Sequence, residues 1–240
     1  MKPSESPFLC RWESFGLEDA GLADLRPRVG TYSASDFFVL PPLPFELRGD
    51  WSWLRAVKPV PSSVVSGNWD ANEKALSALK DAVAAIELSL PDSFTQFFSQ
   101  PDLADRVRSN TACFLDLSLG VASPPTGRGY MIRFLADSQG CLFWYLYLAA
   151  NGDHAVLSST DYYGSPSEEE CFYDGAEPEV GPLARSSKRI SFAAESFEAF
   201  MWRFWIENEI WFAGYEKKEM SAAGLQYVEA YRRGLCGWIG

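Results

Sequence analysis

Histidine is nearly missing from this chain: His154 is the only one in 240 residues. The five cysteines, Cys10, Cys113, Cys141, Cys171 and Cys236, are scattered, with no C-x-x-C pair among them. Zinc needs about three or four nitrogen, sulfur or carboxylate ligands brought close together, so no metal site is expected. An odd cysteine count without regular spacing argues against a disulfide framework and for reduced thiols. Cys113 and Cys141 stand inside apolar strand text, where a free thiol normally packs as a small hydrophobe. A Cys–His nucleophile built on His154 is therefore the weaker expectation.

Long apolar runs are missing too. The longest candidate, Leu142 to Ala150, has strand length, far short of the roughly 18 or more residues a membrane span requires. The start of the chain, MKPSESPFLCRW, has one lysine and no apolar stretch of the length found in a secretory signal, so a soluble cytoplasmic protein is expected. Basic charge is scarce, with 21 Lys and Arg against 32 Asp and Glu and a net charge of −11. The nearest thing to a phosphate-binding stripe, Arg185-Ser186-Ser187-Lys188-Arg189, is short and follows an acidic segment, which disfavours nucleic acid as a partner. No phosphate-cradling glycine loop and no nucleophile–base spacing is present, so no cofactor and no enzymatic activity are expected. Asp116, Asp137, Asp153 and Asp161 fall at strand ends where an acid–base pair could meet, but carboxylates stand at the strand ends of any two-layer fold.

What is present is a large core. A hydrophobic content of 47% over this length can bury one full domain. The segment Ala112 to Ser159 reads as an antiparallel meander, ACFLDLSLG, GYMIRFLA, LFWYLYLA and HAVLSS. Asp137-Ser138-Gln139-Gly140 and Asn151-Gly152-Asp153 close its last two hairpins, because Asn-Gly and a late glycine supply the positive φ angles that such turns need. Before the meander, a helix is expected to open at Asp70, with Glu73 completing a capping box. Leu76, Leu79, Val83, Ile86 and Leu90 would form its apolar stripe. Short helices follow from Asp92 and Pro101, since proline bars helix at Leu90 and suits a first helical turn.

After the meander, Ile190 to Phe192 reads as a further strand. Ser196 caps a long helix, apolar nearly all round and so expected to be buried by its own domain, and a last helix spans about Lys218 to Gly234. Residues 1–68, rich in proline and aromatics, read as an extended, irregular N-terminal extension packed on the core formed by residues 69–240. The expected fold class is α+β, an antiparallel meander flanked by helices on one side.

Charge is concentrated in one place. Residues 161–180, DYYGSPSEEECFYDGAEPEV, hold seven acids and no base, against a whole-chain excess of eleven negative charges. Gly and Pro mark the stretch as a loop. Most such runs are solvated faces kept open by self-repulsion. Here Tyr162, Tyr163, Phe172 and Tyr173 interleave with Glu168, Glu169, Glu170 and Asp174, a combination suited to steering and anchoring a basic protein.

The order of elements resembles the SUKH superfamily. The resemblance rests on Leu90-Pro91-Asp92-Ser93-Phe94 after a helix, a meander with a strongly aromatic middle strand, and Ser196-Phe197-Glu198-Ala199-Phe200 opening a C-terminal helix. It covers about Asp70 to Phe212; residues 1–68 have no counterpart in a minimal domain of this type. The superfamily includes Smi/Knr-like regulators of yeast cell-wall synthesis and many bacterial immunity proteins. The resemblance implies a non-enzymatic protein-binding domain, in the bacterial branch a cytoplasmic immunity protein that neutralises a polymorphic toxin, frequently a nuclease or deaminase; the acidic segment independently fits a basic, nuclease-like toxin. Tyr162, Tyr163, Glu168, Glu169, Glu170, Phe172, Tyr173 and Asp174 are its expected contact residues. The alternative is a regulatory scaffold or ligand-binding protein of the cell-wall-regulator type, with the aromatic sheet face around a small molecule.

Overall fold

Two hairpins form where the turn chemistry places them. The computed structural model describes residues 1–17, 20, 22, 32–60, 65, 67–164 and 189–236. Strands β4 (Tyr130–Ala136), β5 (Phe143–Leu148) and β6 (His154–Ser159) pair antiparallel, with Ile132 opposite Leu146 and Leu146 opposite Val156. Gly140 (φ 69°) and Gly152 (φ 84°) take the left-handed conformations of the two turns. A short strand β3 (Phe114–Leu115) flanks β4, and β7 (Ile190–Ala194) flanks β6, both antiparallel.

The sheet is not a pure meander. Two strands come from the segment expected to be irregular: β1 (Leu9–Glu13) and β2 (Ala34–Asp36). β1 lies parallel to β7, Leu9 opposite Ser191, and antiparallel to β2. Among the described residues the result is a seven-stranded mixed sheet, in the order β2-β1-β7-β6-β5-β4-β3. The α+β class stands, and the antiparallel pattern is corrected by one parallel pair.

Period-two alternation divides the core. Trp144, Leu146 and Leu148 of β5 point into one cluster with Phe134, Val156 and the helices, while Phe143, Tyr145 and Tyr147 enter a second on the other face. The first cluster draws on α1 (Ser52–Arg55), α2 (Trp69–Ala85), α3 (Asp92–Phe98), α4 (Pro101–Ala104) and α5 (Phe197–Tyr215). Among the described residues no α-helix contributes to the second cluster. There Phe8 meets Tyr147 edge-on at 5.4 Å and Phe37 meets Phe192 at 5.3 Å.

Helix boundaries follow local hydrogen bonding. Asn68, not Asp70, caps α2, its side chain accepting from the Ala71 N–H at 3.2 Å. Of the expected stripe, Leu76, Leu79 and Val83 are buried within the helix; Ile86 is already its C-cap, and Leu90 lies beyond it, packed on the core. Ser196 caps α5 as expected, accepting from the Ala199 N–H at 3.1 Å. α5 is buried on opposite faces: Phe197, Phe200 and Phe204 face the sheet, and Trp202, Ile206 and Ile210 pack on α6 (Ala222–Cys236). That last helix starts after Ser221 and runs through Gly234 instead of ending there. Among the described residues no helix is long and apolar enough to cross a membrane.

Candidate functional site

The acidic segment is rooted at the end of β6, on two aromatic residues held by the sheet. Tyr145 donates its hydroxyl to the Asp161 carbonyl at 3.1 Å and accepts from the Tyr163 N–H at 2.9 Å. Tyr163 is 3% exposed and packs edge-on against Tyr145 at 5.8 Å. Tyr162 is half-buried, with Phe143 at 5.5 Å and the Arg133 guanidinium 4.6 Å above its ring. Arg133, itself nearly buried, donates to Asp116 at 2.7 Å. Tyr162 and Tyr163 are thus fastened to the sheet at the start of the acidic segment. The remaining expected contact residues, Glu168, Glu169, Glu170, Phe172, Tyr173 and Asp174, lie outside the described residues, as does Cys171.

The two ends of the segment meet. Arg189, immediately before β7, donates to Asp161 at 2.8 Å, and this pair raises the Arg189 pKa through its hydrogen bond and its charge. β6 and β7 are neighbouring strands, so Asp161 and Arg189 stand at one place on the sheet. The residues between these ends carry Glu168, Glu169, Glu170, Asp174, Glu177 and Glu179 against Arg185 and Lys188.

The four strand-end carboxylates do not converge on one another in any hydrogen bond. Asp116 pairs with Arg133 and Asp161 with Arg189. Asp153 and Asn151 brace their own hairpin turn. Asp137 accepts from the Gln139 and Cys141 N–H groups of its turn and from the Tyr32 hydroxyl at 2.9 Å. The Tyr32 oxygen is also 3.3 Å from the Cys113 sulfur. Burial pushes the Cys113 thiol pKa up, which keeps it a poor nucleophile. His154 is half-buried at the start of β6, its carbonyl accepting from the Met1 ammonium at 2.8 Å. Among the described residues no three His, Cys, Asp or Glu side chains stand close enough to hold a metal ion. The aromatics of β5 are all buried and packed in the two core clusters.

A second feature has no local signal in the sequence. The chain from Phe45 to Trp53 folds over the start of α5 and encloses a groove of about 410 Å³. Glu198, 3% exposed, holds this segment by accepting from the Gly49 N–H at 2.6 Å and the Trp53 indole N–H at 3.0 Å. Trp51, between these two contacts, sits in the left-handed region at φ 59°, costly for a bulky residue, with its indole N–H donating to the Ser93 carbonyl at 3.0 Å. The stretches that carry the family resemblance meet here: Phe94 and Phe197 are in ring contact at 4.8 Å. An acid in the first turn of a helix is commonplace, and nothing in the local sequence ties Glu198 to a loop 149 residues earlier.

No protein-family model matches the chain, and no curated protein and no solved structure matches it either.

Proposed function

We propose that this chain is a non-enzymatic protein-binding domain that docks a basic protein through its acidic 161–180 segment, as a cytoplasmic immunity protein of a bacterial polymorphic toxin system. The observation that carries this reading is the Asp161–Arg189 pair, which joins, at adjacent strands, the two ends of the stretch 161–189 that contains the most acidic segment of the chain. A loop closed at its root loses less entropy on binding than one with free ends, and its charge raises the rate of encounter with a basic surface. A nuclease-like toxin fits because a site that binds phosphates is basic, and an inhibitor covering it gains from negative charge and aromatic anchors. The resemblance to SUKH domains supports the same role.

The test uses the toxic product of a neighbouring gene, purified and mixed with this chain in stopped flow. Reversing Glu168, Glu169 and Glu170 to Lys is expected to slow association by at least about tenfold at low salt, with the thermal unfolding midpoint unchanged. An unchanged association rate at low salt would overturn the reading.

A further inference from the structure

The groove of residues 45–53 shares no lining residue with the acidic segment, and its chemistry points to a definite occupant. Its rim carries Glu46 and Asp50 against Arg48 alone, and its wall carries the Glu198 carboxylate. Glu198 is almost wholly buried, yet the groups that hold it are neutral N–H donors; among the described residues it forms no ion pair. Glu198 thus has no countercharge of its own among the described residues, and the acids on the groove outnumber the single cation Arg48. The other walls are aromatic and apolar: Trp53 half-buried, Phe45 42% exposed and Leu47 half-buried. Acids beside partly exposed aromatic rings, Phe45 and the part of Trp53 not covered by Trp51 and Trp205, form a combination that binds an ammonium or guanidinium group, by ion pairing and by cation–π attraction together.

We infer that this groove receives a lysine or arginine side chain carried on an extended segment of a basic protein. That the occupant belongs to a protein partner rests on the function proposed above; its cationic character rests on the groove alone. The volume lies in the range of small-ligand sites, enough for one long side chain with its flanking backbone. The segment is also set in advance. Glu198 clamps Gly49 and Trp53, and Ser93 holds the Trp51 indole, so the walls do not need to be ordered when the ligand arrives.

The experiment is a titration of the isotope-labelled full chain with acetylated tetra-arginine amide, following the Gly49 amide and the Trp53 indole N–H by NMR. Tetra-citrulline, neutral and nearly the same shape, is the control. The Trp53 indole signal is assigned from Trp53→Phe. Saturable shifts at both groups are expected with tetra-arginine and not with tetra-citrulline. The double variant Glu46→Gln with Asp50→Asn, which keeps the cap on the Ser52 N–H, is expected to weaken binding about fivefold. Shifts confined to other residues, equal binding of tetra-citrulline, or an unchanged affinity in the double variant would each overturn the inference. A toxin that binds through the loop while tetra-arginine leaves Gly49 and Trp53 unmoved would keep the docking function and remove the groove. Binding at the groove with no toxin captured would do the reverse.

Discussion

The indole N–H of Trp12, on β1, donates to the Glu207 carboxylate in the middle of α5 at 2.8 Å, across 195 residues of sequence. The same carboxylate accepts from the Phe15 N–H at 3.0 Å and from the Tyr227 hydroxyl of α6 at 2.8 Å. One wholly buried acid therefore joins the N-terminal strand, the long helix and the last helix. Glu207→Ala leaves three buried donors without their acceptor and is expected to cost at least about 3 kcal/mol. Glu207→Gln keeps the shape and one acceptor oxygen and recovers part of that loss. Urea unfolding is the check: a lower midpoint at unchanged slope is expected for both, with the alanine variant the weaker.

Lys217, just past the C-cap of α5, takes a left-handed conformation, φ 53°. Around it the Lys218 N–H donates to the Ala213 carbonyl and the Lys217 N–H to the Gly214 carbonyl, the double closure that glycine usually supplies. A side chain costs about 1 kcal/mol or more there. Lys217→Gly is expected to raise stability by about 1 kcal/mol, seen as a higher unfolding temperature. Lys217→Ala, which keeps a Cβ, should not show the gain.

Phe197 touches the rings of Trp51, Phe94, Phe97, Phe98 and Phe134 at centroid distances of 4.8 to 6.1 Å. It joins α5 to α3, to β4 and to the loop that forms the groove. Phe197→Ala is expected to destabilise by about 3–5 kcal/mol, and Phe197→Leu by markedly less, because leucine leaves a smaller cavity. Denaturant melts of the two variants decide this.

His154 has a pKa lowered from its ordinary 6.5 by burial first and by the nearby Met1 ammonium second. The unfolded chain therefore takes up the proton before the folded one does. The stability this residue contributes is complete above the unfolded pKa and is lost as pH falls through the folded one. As it is the only histidine, His154→Gln isolates the effect. Melting temperatures of the two chains from about pH 7.5 to 5.5 should drift apart in the variant's favour as acid is added. A constant difference would contradict the assignment.

The hairpins and the long helix were legible because their signals are local. Asn151-Gly152 demands positive φ, and Ser196 ahead of an apolar stretch marks a cap. β1 and β2 were not legible. The stretch Leu9 to Glu13 mixes Leu, Cys and Trp with Arg and Glu, and its partner β7 lies about 180 residues away, so no neighbouring turn announces the parallel pair. The expected strand from Ala112 to Gly120 shrinks to Phe114–Leu115, since from Asp116 to Gly120 the backbone bonds only singly to β4, Asp116 to Phe134 and Ser118 to Arg133. Asp70 reads as a cap because Glu73 completes the local pattern, while Asn68 two residues earlier makes the bond. For the candidate site, charge alone marked the loop. The clamp by Glu198 depends on chain segments that meet only in the folded protein.

Colony survival tests the central claim most directly: a sensitive bacterial host expresses the neighbouring gene product, alone, with the intact chain, and with the chain carrying Glu168→Lys, Glu169→Lys and Glu170→Lys. Rescue by the intact chain and its loss in the charge-reversed chain, both chains being equally soluble, is the result predicted. A toxic neighbour that the intact chain does not rescue, or equal rescue by both chains, would contradict it.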